Sequence, residues 1–549
     1  MSTSTGAQLL VRMLKKEGVR HIFTLSGLHI APIYAACVEE GIAVVDTRHE
    51  QAAAHAADAY ARLTRGLGVA VVTAGPGVTD ALTGVANAYS ASSPMLLLGG
   101  AAPQFNAGKG SLQEIEQVDL FLRITKWADR IPAPERAPTY MAKAFRTALS
   151  GKPGPVFLEA PWDVLCNGVE DEAAPLQENY RTRARTPGDP TLIERAAALL
   201  DGAERPAVIA GSSIWWDAAH EELAAFCEKA GVPVFLNGSG RGCLPHDHPH
   251  FFQSSRKEAL GDADVVLIVG TPLDFRLGYG LPPTFTSEAK LIQVDNDASE
   301  IGRNRAIDVG IVGDSRSVLA ALTSAIARKD RSARLKALRA SETKKQEKQR
   351  AFEEDDASPI NHYRLAKELD TVQRSAGDSM LVADGGNWVA IAAKVLKLAK
   401  PGRWLDPGPL GCLGVGAPFA IAAKTLYPER PVFVIQGDGS FGLNGMDFET
   451  ALRFNLPMVC VVGNDAAWGQ IRLPQVQFHG EDKSPATLLR PTRYDKIVEA
   501  MGGYGELVTE AKDIRPALER AVASNTVACV NVMLDPDAPV KTGSMGYAV

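Results

Sequence analysis

The stretch Val434-Ile435-Gln436-Gly437-Asp438-Gly439-Ser440 decides the fold of this chain. It belongs to an apolar run that begins at Pro431 and is typical of a buried parallel strand. Glycines on both sides of Asp438 let backbone N–H groups approach a phosphate without obstruction by a Cβ atom. The stretch therefore predicts a strand that ends in a phosphate-binding turn.

A second apolar run, residues 457–462, ends in Gly463-Asn464-Asp465-Ala466-Ala467-Trp468. The chain length between Asp438 and Asp465 fits a strand, turn, helix and strand, which is one right-handed crossover unit. The two strand ends are then neighbours at the carboxyl edge of a parallel sheet, where α/β proteins bind ligands. Two oxygen ligands beside a glycine-rich turn suit Mg²⁺ that holds a diphosphate.

The same alternation of strands and helices extends through the whole chain and indicates parallel sheets covered on both faces. In the first block, the predicted helices and strands are residues 7–17, 19–25, 30–39, 43–47, 50–64, 68–73, 77–90 and 95–99. In the second block, the predicted strands include residues 207–210, 232–236, 265–269 and 291–294. The expected fold is α/β, with three doubly wound parallel-sheet domains at residues 1–167, 190–329 and 358–549. The polar segments 168–190 and 329–356 are predicted as a solvated linker and as a solvated helix with a linker.

The composition excludes several classes of function. The 549 residues carry a net charge of −6, which gives no case for nucleic acid or an anionic membrane as a partner. The seven cysteines are scattered and contain no Cys-x-x-Cys, so neither a disulfide framework nor a structural zinc site is expected. No apolar stretch approaches the roughly 20 residues of a membrane span. The N-terminus does not have the pattern of a signal peptide. These features predict a cytoplasmic protein.

A second group of chemical residues lies in Asp46-Thr47-Arg48-His49-Glu50-Gln51-Ala52-Ala53-Ala54. Glu50 is predicted at the start of a helix, where a carboxylate is also favoured simply by the helix dipole. The alanines allow another element to pack closely against this helix. The stretch Thr73-Ala74-Gly75-Pro76-Gly77 adds another glycine-rich turn between a strand and a helix. The residues alone leave open whether Glu50 is structural or functional.

These motifs occur in the order found in a known family. Together with Trp404-Leu405-Asp406-Pro407-Gly408 and Gly411-Cys412-Leu413-Gly414-Val415-Gly416, they make the chain resemble the thiamine diphosphate enzymes of the acetolactate synthase superfamily over essentially its full length. The family signature is Gly-Asp-Gly followed by Asn-Asn, and Asp465 replaces the second Asn here. Within the superfamily the chain most resembles 2-hydroxyacyl-CoA lyases and acetolactate-synthase-like proteins, followed by benzaldehyde lyase.

The resemblance implies a pyrimidine-binding first domain, a central domain and a diphosphate-binding third domain. Mg²⁺ would be bound by Asp438, the side chain of Asp465 and the backbone carbonyl of Ala467. Glu50 would hydrogen-bond the pyrimidine ring, Leu413 would bend the cofactor, and the Gly411 carbonyl would accept from its amine. The further residues assigned to cofactor binding are Thr73, Gly75, Gly385, Gly386, Gly437, Gly439 and Ser440.

On the substrate side, His29 resembles the active-site histidine of benzaldehyde lyase, and Gln113 matches a pocket glutamine of the same relatives. From the residues alone, a loop histidine such as His29 is more often a surface group, and Trp468 is more often core than a pocket wall; the strand-end position and the motif match favour His29 as a proton shuttle. The pocket tyrosine of benzaldehyde lyase has no counterpart in residues 385–389. The C-terminal tail, residues 541–547, is more similar to that of the acyl-CoA lyases, where it covers the site.

The resemblance implies a carbon–carbon lyase or carboligase that cleaves a 2-hydroxyacyl-CoA to formyl-CoA and an aldehyde or ketone, or runs the reverse condensation. The alternatives are a benzaldehyde-lyase-type acyloin lyase, acetolactate synthase, and a catalytically silent cofactor-binding partner subunit. The central domain is expected to bind ADP, CoA or flavin, or to bind nothing. If it binds CoA, Arg276 and Arg303 are the candidate partners of a phosphate. The chain is expected to form a homodimer or homotetramer, in which Glu50 meets Asp438 of a neighbouring subunit.

Overall fold

A computed structural model of the chain describes residues 2–538. Its architecture is three parallel sheets, with six, five and six strands, each covered by helices. A further two-stranded sheet is antiparallel. The predicted α/β class with three doubly wound sheets is confirmed. The C-terminal tail 541–547 lies outside the described residues.

The first unit contains strands β1 to β8 and helices α1 to α7. The strands are Thr3–Thr5, His21–Thr24, Ala43–Asp46, Gly68–Val72, Met95–Ala101, Ala128–Arg130, Val156–Pro161 and Gly168–Glu170. The helices are Gly6–Glu17, Ala31–Glu40, Glu50–Thr64, Pro76–Ser90, Gln117–Phe121, Ala137–Leu149 and Trp162–Cys166. The six-stranded sheet has the order β3-β2-β4-β5-β7-β6, and every pair in it is parallel.

The central unit contains strands β9 to β13 and helices α8 to α12, and helix α13 follows it. The strands are Ala207–Ala210, Val234–Leu236, Val265–Val269, Lys290–Asp295 and Val309–Val312. The helices are Pro190–Gly202, Ser212–Trp216, His220–Ala230, Arg256–Gly261, Ser315–Ala325 and Ser332–Glu353. The parallel sheet has the order β10-β9-β11-β12-β13.

The third unit contains strands β14 to β19 and helices α14 to α21. The strands are Met380–Ala383, Trp404–Leu405, Val432–Gly437, Met458–Asn464, Tyr504–Val508 and Val527–Met533. The helices are His362–Ser375, Asn387–Val395, Gly416–Leu426, Asp438–Asn444, Asp447–Arg453, Gly469–His479, Tyr494–Ala500 and Ile514–Ala523. The sheet order β15-β14-β16-β17-β19-β18 repeats the connectivity of the first unit strand for strand. The predicted relation between the first and third blocks therefore extends to their topology.

Helix α3, which begins at Glu50, joins the first and third units. Its residues 52–63 are all buried, and it packs against α4 and against α16 of the third unit. Small residues permit this, because a Cβ atom on Gly84 of α4 would lie 2.5 Å from the Cβ of Ala54. Farther along α3, the buried Arg62 pairs with Asp58 at 2.6 Å and donates to the carbonyl of Asp406. The predicted close packing against the alanines is confirmed.

Of the two polar segments, the first differs from the prediction and the second agrees with it. Segment 168–190 begins with β8, which pairs antiparallel with β1. Its Tyr180 hydroxyl and Arg181 guanidinium both donate to Glu17 of α1. The prediction of a solvated linker was therefore wrong for this part, because these side chains attach it to the first unit. Segment 329–356 forms helix α13, which is mostly exposed, as expected. Within residues 2–538, none of the helices combines the length and the apolar character needed to cross a membrane.

Candidate active site

The carboxyl edge of the first sheet brings together four of the predicted site residues. His29 follows β2 in a short 3₁₀ turn, and its Nδ1 lies 3.2 Å from the hydroxyl of Thr73, which follows β4. A Cβ atom on Gly75 would lie 2.7 Å from the carbonyl oxygen of Gln113. Gln113 itself has a positive φ of 61°, so this loop takes a strained turn against Gly75. The sheet thus places His29, Thr73, Gly75 and Gln113 along one edge.

His29 is buried and not the surface group that its loop position also allowed. Burial lowers the pKa of His29 below its usual value. A neutral imidazole can accept a proton at neutral pH, and the Thr73 hydroxyl at its Nδ1 orients the ring.

Glu50 is the first residue of α3 and is 93% removed from solvent, with a relative exposure of 7%. The ring of His49 caps the helix by accepting the N–H of Gln51 at 3.1 Å. The carboxylate faces the turn 73–77, because its Oε1 lies 3.3 Å from where a Cβ on Gly77 would be. Burial raises the pKa of Glu50, and the Asp80 carboxylate acts in the same direction. Glu50 therefore accepts a proton more readily than an exposed carboxylate does.

Gln117 is a buried side chain that was not selected from the sequence. Its Oε1 accepts the N–H of Gly75 at 3.0 Å, and its Nε2 donates to the carbonyl of Gly100 at 2.7 Å. It therefore ties the turn 73–77 to the end of β5. No period or motif marks Gln117 in the sequence, so only its tertiary contacts reveal it.

The strand ends of the third unit carry the predicted metal ligands. Strands β16 and β17 are parallel neighbours, with Gly437 opposite Gly463, so Asp438 and Asp465 lie on adjacent strand ends as predicted. The Oδ2 of Asp438 accepts the N–H of Ala467 at 3.2 Å, which brings the third predicted ligand to the same place. All three residues are buried.

The pKa values of Asp438 and Asp465 are both shifted upward. Burial raises the pKa of Asp438 to about 6. Burial, followed by the charge of Asp438, raises the pKa of Asp465 to about 7. Two neighbouring buried carboxyl groups resist double ionisation unless a cation lies between them. The oxygen donors are the kind that Mg²⁺ prefers.

Asn387 supplies the clearest sign that a polar ligand belongs here. It begins helix α15, it is buried, and neither its Oδ1 nor its Nδ2 has a hydrogen-bond partner within the described residues. A Cβ on Gly469 would lie 3.1 Å from the Asn387 Nδ2 and 2.5 Å from the Asp465 Oδ2. The amide and the carboxylate thus converge on one point at which only glycine fits. An amide donor beside a carboxylate pair fits a metal-bound diphosphate.

The remaining predicted cofactor residues surround this point. The Ser440 hydroxyl donates to the carbonyl of Gly385 at 2.8 Å, and the N–H of Gly437 donates to the same carbonyl at 2.7 Å. Gly386 has a φ of 138°. The ring of Trp468 lies directly on Gly439, where a Cβ would approach it to 2.6 Å.

Leu413 packs against Gly385, because a Cβ there would lie 1.9 Å from the Leu413 Cδ2. Its loop is held by Asp384, whose carboxylate accepts the N–H groups of Gly414 at 2.9 Å and Gly416 at 2.8 Å. Burial raises the pKa of Asp384 to about 6. Gly411, in the same loop, has open space where a Cβ would be. Asp384 was missed in the sequence, although its place at the end of β14, before Gly385-Gly386, could have indicated it.

The structure thus forms two groups of residues, one on the first sheet and one on the third. Within residues 2–538, no hydrogen bond or ion pair joins Glu50 to Asp438 or Asp465. Large apolar side chains that are close in sequence to both groups are exposed: Leu28, Leu112, Leu410, Leu443, Met446 and Ile471.

A separate cavity of about 1060 Å³ lies between the three units. Its lining includes Ser212 and Ser213, which follow β9, and Asp295 at the end of β12. The basic side chains in the lining include Arg65, Lys152, Arg276 and Arg303. Arg276 pairs with Asp274, and Lys152 and Arg303 pair with Glu300. Burial raises the pKa of Asp295 to about 6.

Three family models match the chain in order. Residues 4–120 match the model "Thiamine pyrophosphate enzyme, N-terminal TPP binding domain", residues 193–322 match the central domain, and residues 384–532 match the C-terminal TPP binding domain. The acetolactate synthase large subunit IlvG of Mycobacterium tuberculosis is 40% identical over 97% of this chain and 96% of its own length. The 2-hydroxyacyl-CoA lyase 2 of Caenorhabditis elegans is 36% identical over 96% of this chain and 89% of its own length, and the human protein of that name is 36% identical over 93% and 86%.

Proposed function

The chain belongs to the thiamine pyrophosphate enzyme family, and from this premise we propose that it is an Mg²⁺-dependent carbon–carbon lyase or carboligase that acts as a 2-hydroxyacyl-CoA lyase. Such an enzyme cleaves a 2-hydroxyacyl-CoA to formyl-CoA and an aldehyde or ketone, or runs the reverse condensation. The observation that carries the cofactor assignment is the buried Asp438–Asp465 pair beside the unpartnered amide of Asn387.

Asp438, Asp465 and the carbonyl of Ala467 would hold Mg²⁺, and Asn387, Gly439 and Ser440 would hold the diphosphate. This assignment is supported by the oxygen donors and by the raised pKa values of both buried carboxyl groups, because a cation would stabilise their ionised forms. Asp465, where the family signature has Asn, adds a negative charge that strengthens metal binding.

When bound, thiamine diphosphate supplies a carbon nucleophile and an acceptor for the electron pair that cleavage of a carbon–carbon bond releases. The chain contributes binding, orientation and proton transfer. Glu50 holds a proton against the pyrimidine ring nitrogen, a role that its raised pKa supports. Leu413, which packs against Gly385, would contact the cofactor between its rings, and the Gly411 carbonyl would accept from its amine.

On the substrate side, His29 accepts a proton from the substrate hydroxyl, and Gln113 binds the substrate carbonyl. The neutral state of His29, its hydrogen bond to Thr73, and its burial support this role. Thr73 and Gly75 would contact the pyrimidine ring next to the substrate.

The two groups of site residues are complete only in a dimer. Glu50 of one chain would face Asp438 of a second chain, and the exposed apolar side chains beside both groups would form the contact. The assembly is then a homodimer, or a homotetramer built as a dimer of dimers. We also infer a cytoplasmic location, since all seven cysteines are free thiols.

The large cavity supports an acyl-CoA as substrate. Arg65, Lys152, Arg276 and Arg303 are positioned to bind the phosphates of CoA or ADP, and Asp295 lies at a strand end where ribose hydroxyls bind in doubly wound folds. The domain bounds that we propose are 1–167 for pyrimidine binding, 190–329 for the nucleotide, and 358–549 for the diphosphate.

A second candidate function is acetolactate synthase, because the relative with that name is 40% identical to this chain. One assay separates the two candidates. The purified protein, supplied with thiamine diphosphate and Mg²⁺, is given lactyl-CoA or 2-hydroxyisobutyryl-CoA, and formyl-CoA is measured. In parallel it is given pyruvate, and acetolactate is measured. Formyl-CoA without acetolactate supports the proposal, and the reverse result replaces it. Fast benzoin cleavage without either product would indicate a benzaldehyde-lyase-type enzyme.

A further inference from the structure

The turn before Glu50 is held by a helix of the third unit. Contacts between three residue pairs join the turn 46–50 to α18 of the same chain. The N–H of Arg48 donates to the Oδ1 of Asp447 at 2.9 Å. The guanidinium of Arg453 binds the Asp46 carboxylate at 3.1 Å and donates to the Asp46 carbonyl at 2.8 Å. The Arg48 guanidinium lies 3.9 Å from Glu449.

Three residues of α18 make these contacts: Asp447, Glu449 and Arg453. Of these, only Asp447 has a buried side chain, with 1% of its surface exposed. The Thr450 hydroxyl also donates to its Oδ1 at 3.2 Å, whereas its Oδ2 is buried without a partner within the described residues. Burial raises the pKa of Asp447 to about 6. A buried carboxyl group with one oxygen that lacks a hydrogen-bond partner destabilises the fold, so packing alone does not explain Asp447 at this position.

The position of Arg48 provides that reason. Arg48 is followed by His49, the residue that caps α3, and then by Glu50, the first residue of that helix. Because these three residues are consecutive, the hydrogen bond at the Arg48 N–H fixes the backbone from which the Glu50 carboxylate projects. The Arg453 and Glu449 contacts are at the surface, where ion pairs contribute little to stability and constrain geometry weakly.

We propose that Asp447 is a positioning residue for Glu50: its buried carboxylate holds the Arg48 N–H and thereby sets the place of the Glu50 carboxylate against the pyrimidine ring. This rests on the proposed function for the role of Glu50. The position of the turn itself does not depend on that role and can be measured in the protein without cofactor.

The experiment compares Asp447→Ala and Asp447→Asn with Glu449→Gln, a matched control two residues away on the same helix. Amide hydrogen exchange by mass spectrometry on the cofactor-free protein follows the segment 46–52. In Asp447→Ala this segment is expected to exchange at least tenfold faster than in the wild type, since the buried hydrogen bond at Arg48 is lost. In Glu449→Gln it is expected to be unchanged.

The second readout is the exchange of the C2 proton of bound thiamine diphosphate with deuterium, measured by NMR after acid quench, which needs no substrate. Displacement of a reacting group by about 1 Å costs on the order of 100-fold, so Asp447→Ala is expected to slow this exchange by about 10- to 100-fold. Affinity for thiamine diphosphate with Mg²⁺ is expected to stay within about threefold, because the ligands at Asp438 and Asp465 are untouched. Asp447→Asn keeps an uncharged acceptor and is expected to slow the exchange by about threefold.

The outcomes separate this inference from the proposed function. A wild-type protein that neither binds the cofactor nor exchanges its C2 proton contradicts the proposed function. A wild-type protein that does both, with Asp447→Ala at wild-type values for amide and C2 exchange, overturns the inference. If Asp447→Ala does not fold, Asp447→Asn decides, because wild-type values in both measurements would equally overturn the positioning role.

Discussion

Glu50 is the residue on which the proposed chemistry of the first unit depends. The carboxylate is buried beside the turn 73–77, and its pKa is raised by burial and by Asp80. The sequence predicted the start of its helix at this residue, but it could not predict the burial or the neighbouring carboxylate. Both arise because α4 brings Gly77 and Asp80 close to the start of α3.

Replacing Glu50 with Gln is expected to lower turnover by about 10²- to 10⁴-fold, since a positioned proton-transfer group contributes that much. The unfolding temperature is expected to stay the same or rise slightly, because a buried carboxyl group with a raised pKa is replaced by a neutral amide. Turnover and thermal unfolding of the purified variant check both points. Glu194→Gln, at an exposed position of α8, serves as the control. Full turnover of Glu50→Gln would refute the role of Glu50.

The Asp438–Asp465 pair predicts a pH dependence of metal binding. The pKa values of both carboxyl groups are raised in the folded chain, from 3.8 to about 6 and about 7. The folded chain therefore binds more protons than the unfolded chain between about pH 4 and pH 7, and it loses stability as the pH rises through this window. Above the window both groups are ionised, and a divalent cation removes their repulsion.

Mg²⁺ with thiamine diphosphate is accordingly expected to raise the unfolding temperature more at pH 8 than at pH 6. In Asp465→Asn, which lacks one of the two titrating groups, this difference is expected to shrink. Thermal unfolding at the two pH values, with Mg²⁺ and with a chelator, measures the effect. Equal stabilisation of the wild type at both values would show that the two carboxylates do not bind the metal.

At the scale of elements, long periodic segments were predictable from the sequence, and short ones were not. Helix α3 was predicted at 50–64 and is observed at Glu50–Thr64, because its alanine-rich pattern has clear ends. Strands β9 and β11 also have the predicted bounds. Strands β6, β8 and β15 have two or three residues each and carry no readable period. Their pairing is decided by neighbouring strands and not by local sequence.

The same limit applies to the site. Asp438 and Asp465 were predictable, since glycine-flanked acids at two strand ends form a local pattern. Asn387 and Gln117 were not, because their roles depend on contacts with Gly469 and with Gly100, which are distant in the sequence.

The close contact between α3 and α4 gives a prediction about packing. A Cβ on Gly84 would lie 2.5 Å from Ala54 Cβ and 3.2 Å from the backbone oxygen of Gln51. Overpacking of this kind costs about 1–3 kcal/mol, which exceeds the roughly 1 kcal/mol that alanine gains over glycine within a helix. Gly84→Ala is therefore expected to lower the free energy of unfolding, measured by urea titration. Gly202→Ala, at an exposed end of α8 with no atom within 4 Å, is the control and is expected to be neutral or stabilising. A Gly84→Ala variant as stable as the wild type would mean that the two helices can separate without cost.

At the scale of the whole molecule, the first and third units share one strand order, and each bears one half of the proposed site. The sequence predicted three α/β units and their order but not the identical connectivity, which depends on the pairing of the short strands. If Glu50 and Asp438 of different chains form each site, Glu50→Gln and Asp438→Ala are each inactive as homodimers. Co-expression of both variants gives mixed dimers with one intact site, and recovery of about a quarter of wild-type turnover per chain is expected for random pairing. An absence of recovery in isolated mixed dimers would place the site within one chain.

The central claim is that Asp438 and Asp465 anchor a magnesium-bound thiamine diphosphate, and calorimetry tests it most directly. Thiamine diphosphate is titrated into the cofactor-free wild type, first with Mg²⁺ and then with a chelator, and into Asp438→Ala with Mg²⁺. The predicted result is binding of one cofactor per chain to the wild type with Mg²⁺ and the loss of binding in the other two titrations. Absence of binding to the wild type with Mg²⁺, or equal affinity of Asp438→Ala, would contradict the account.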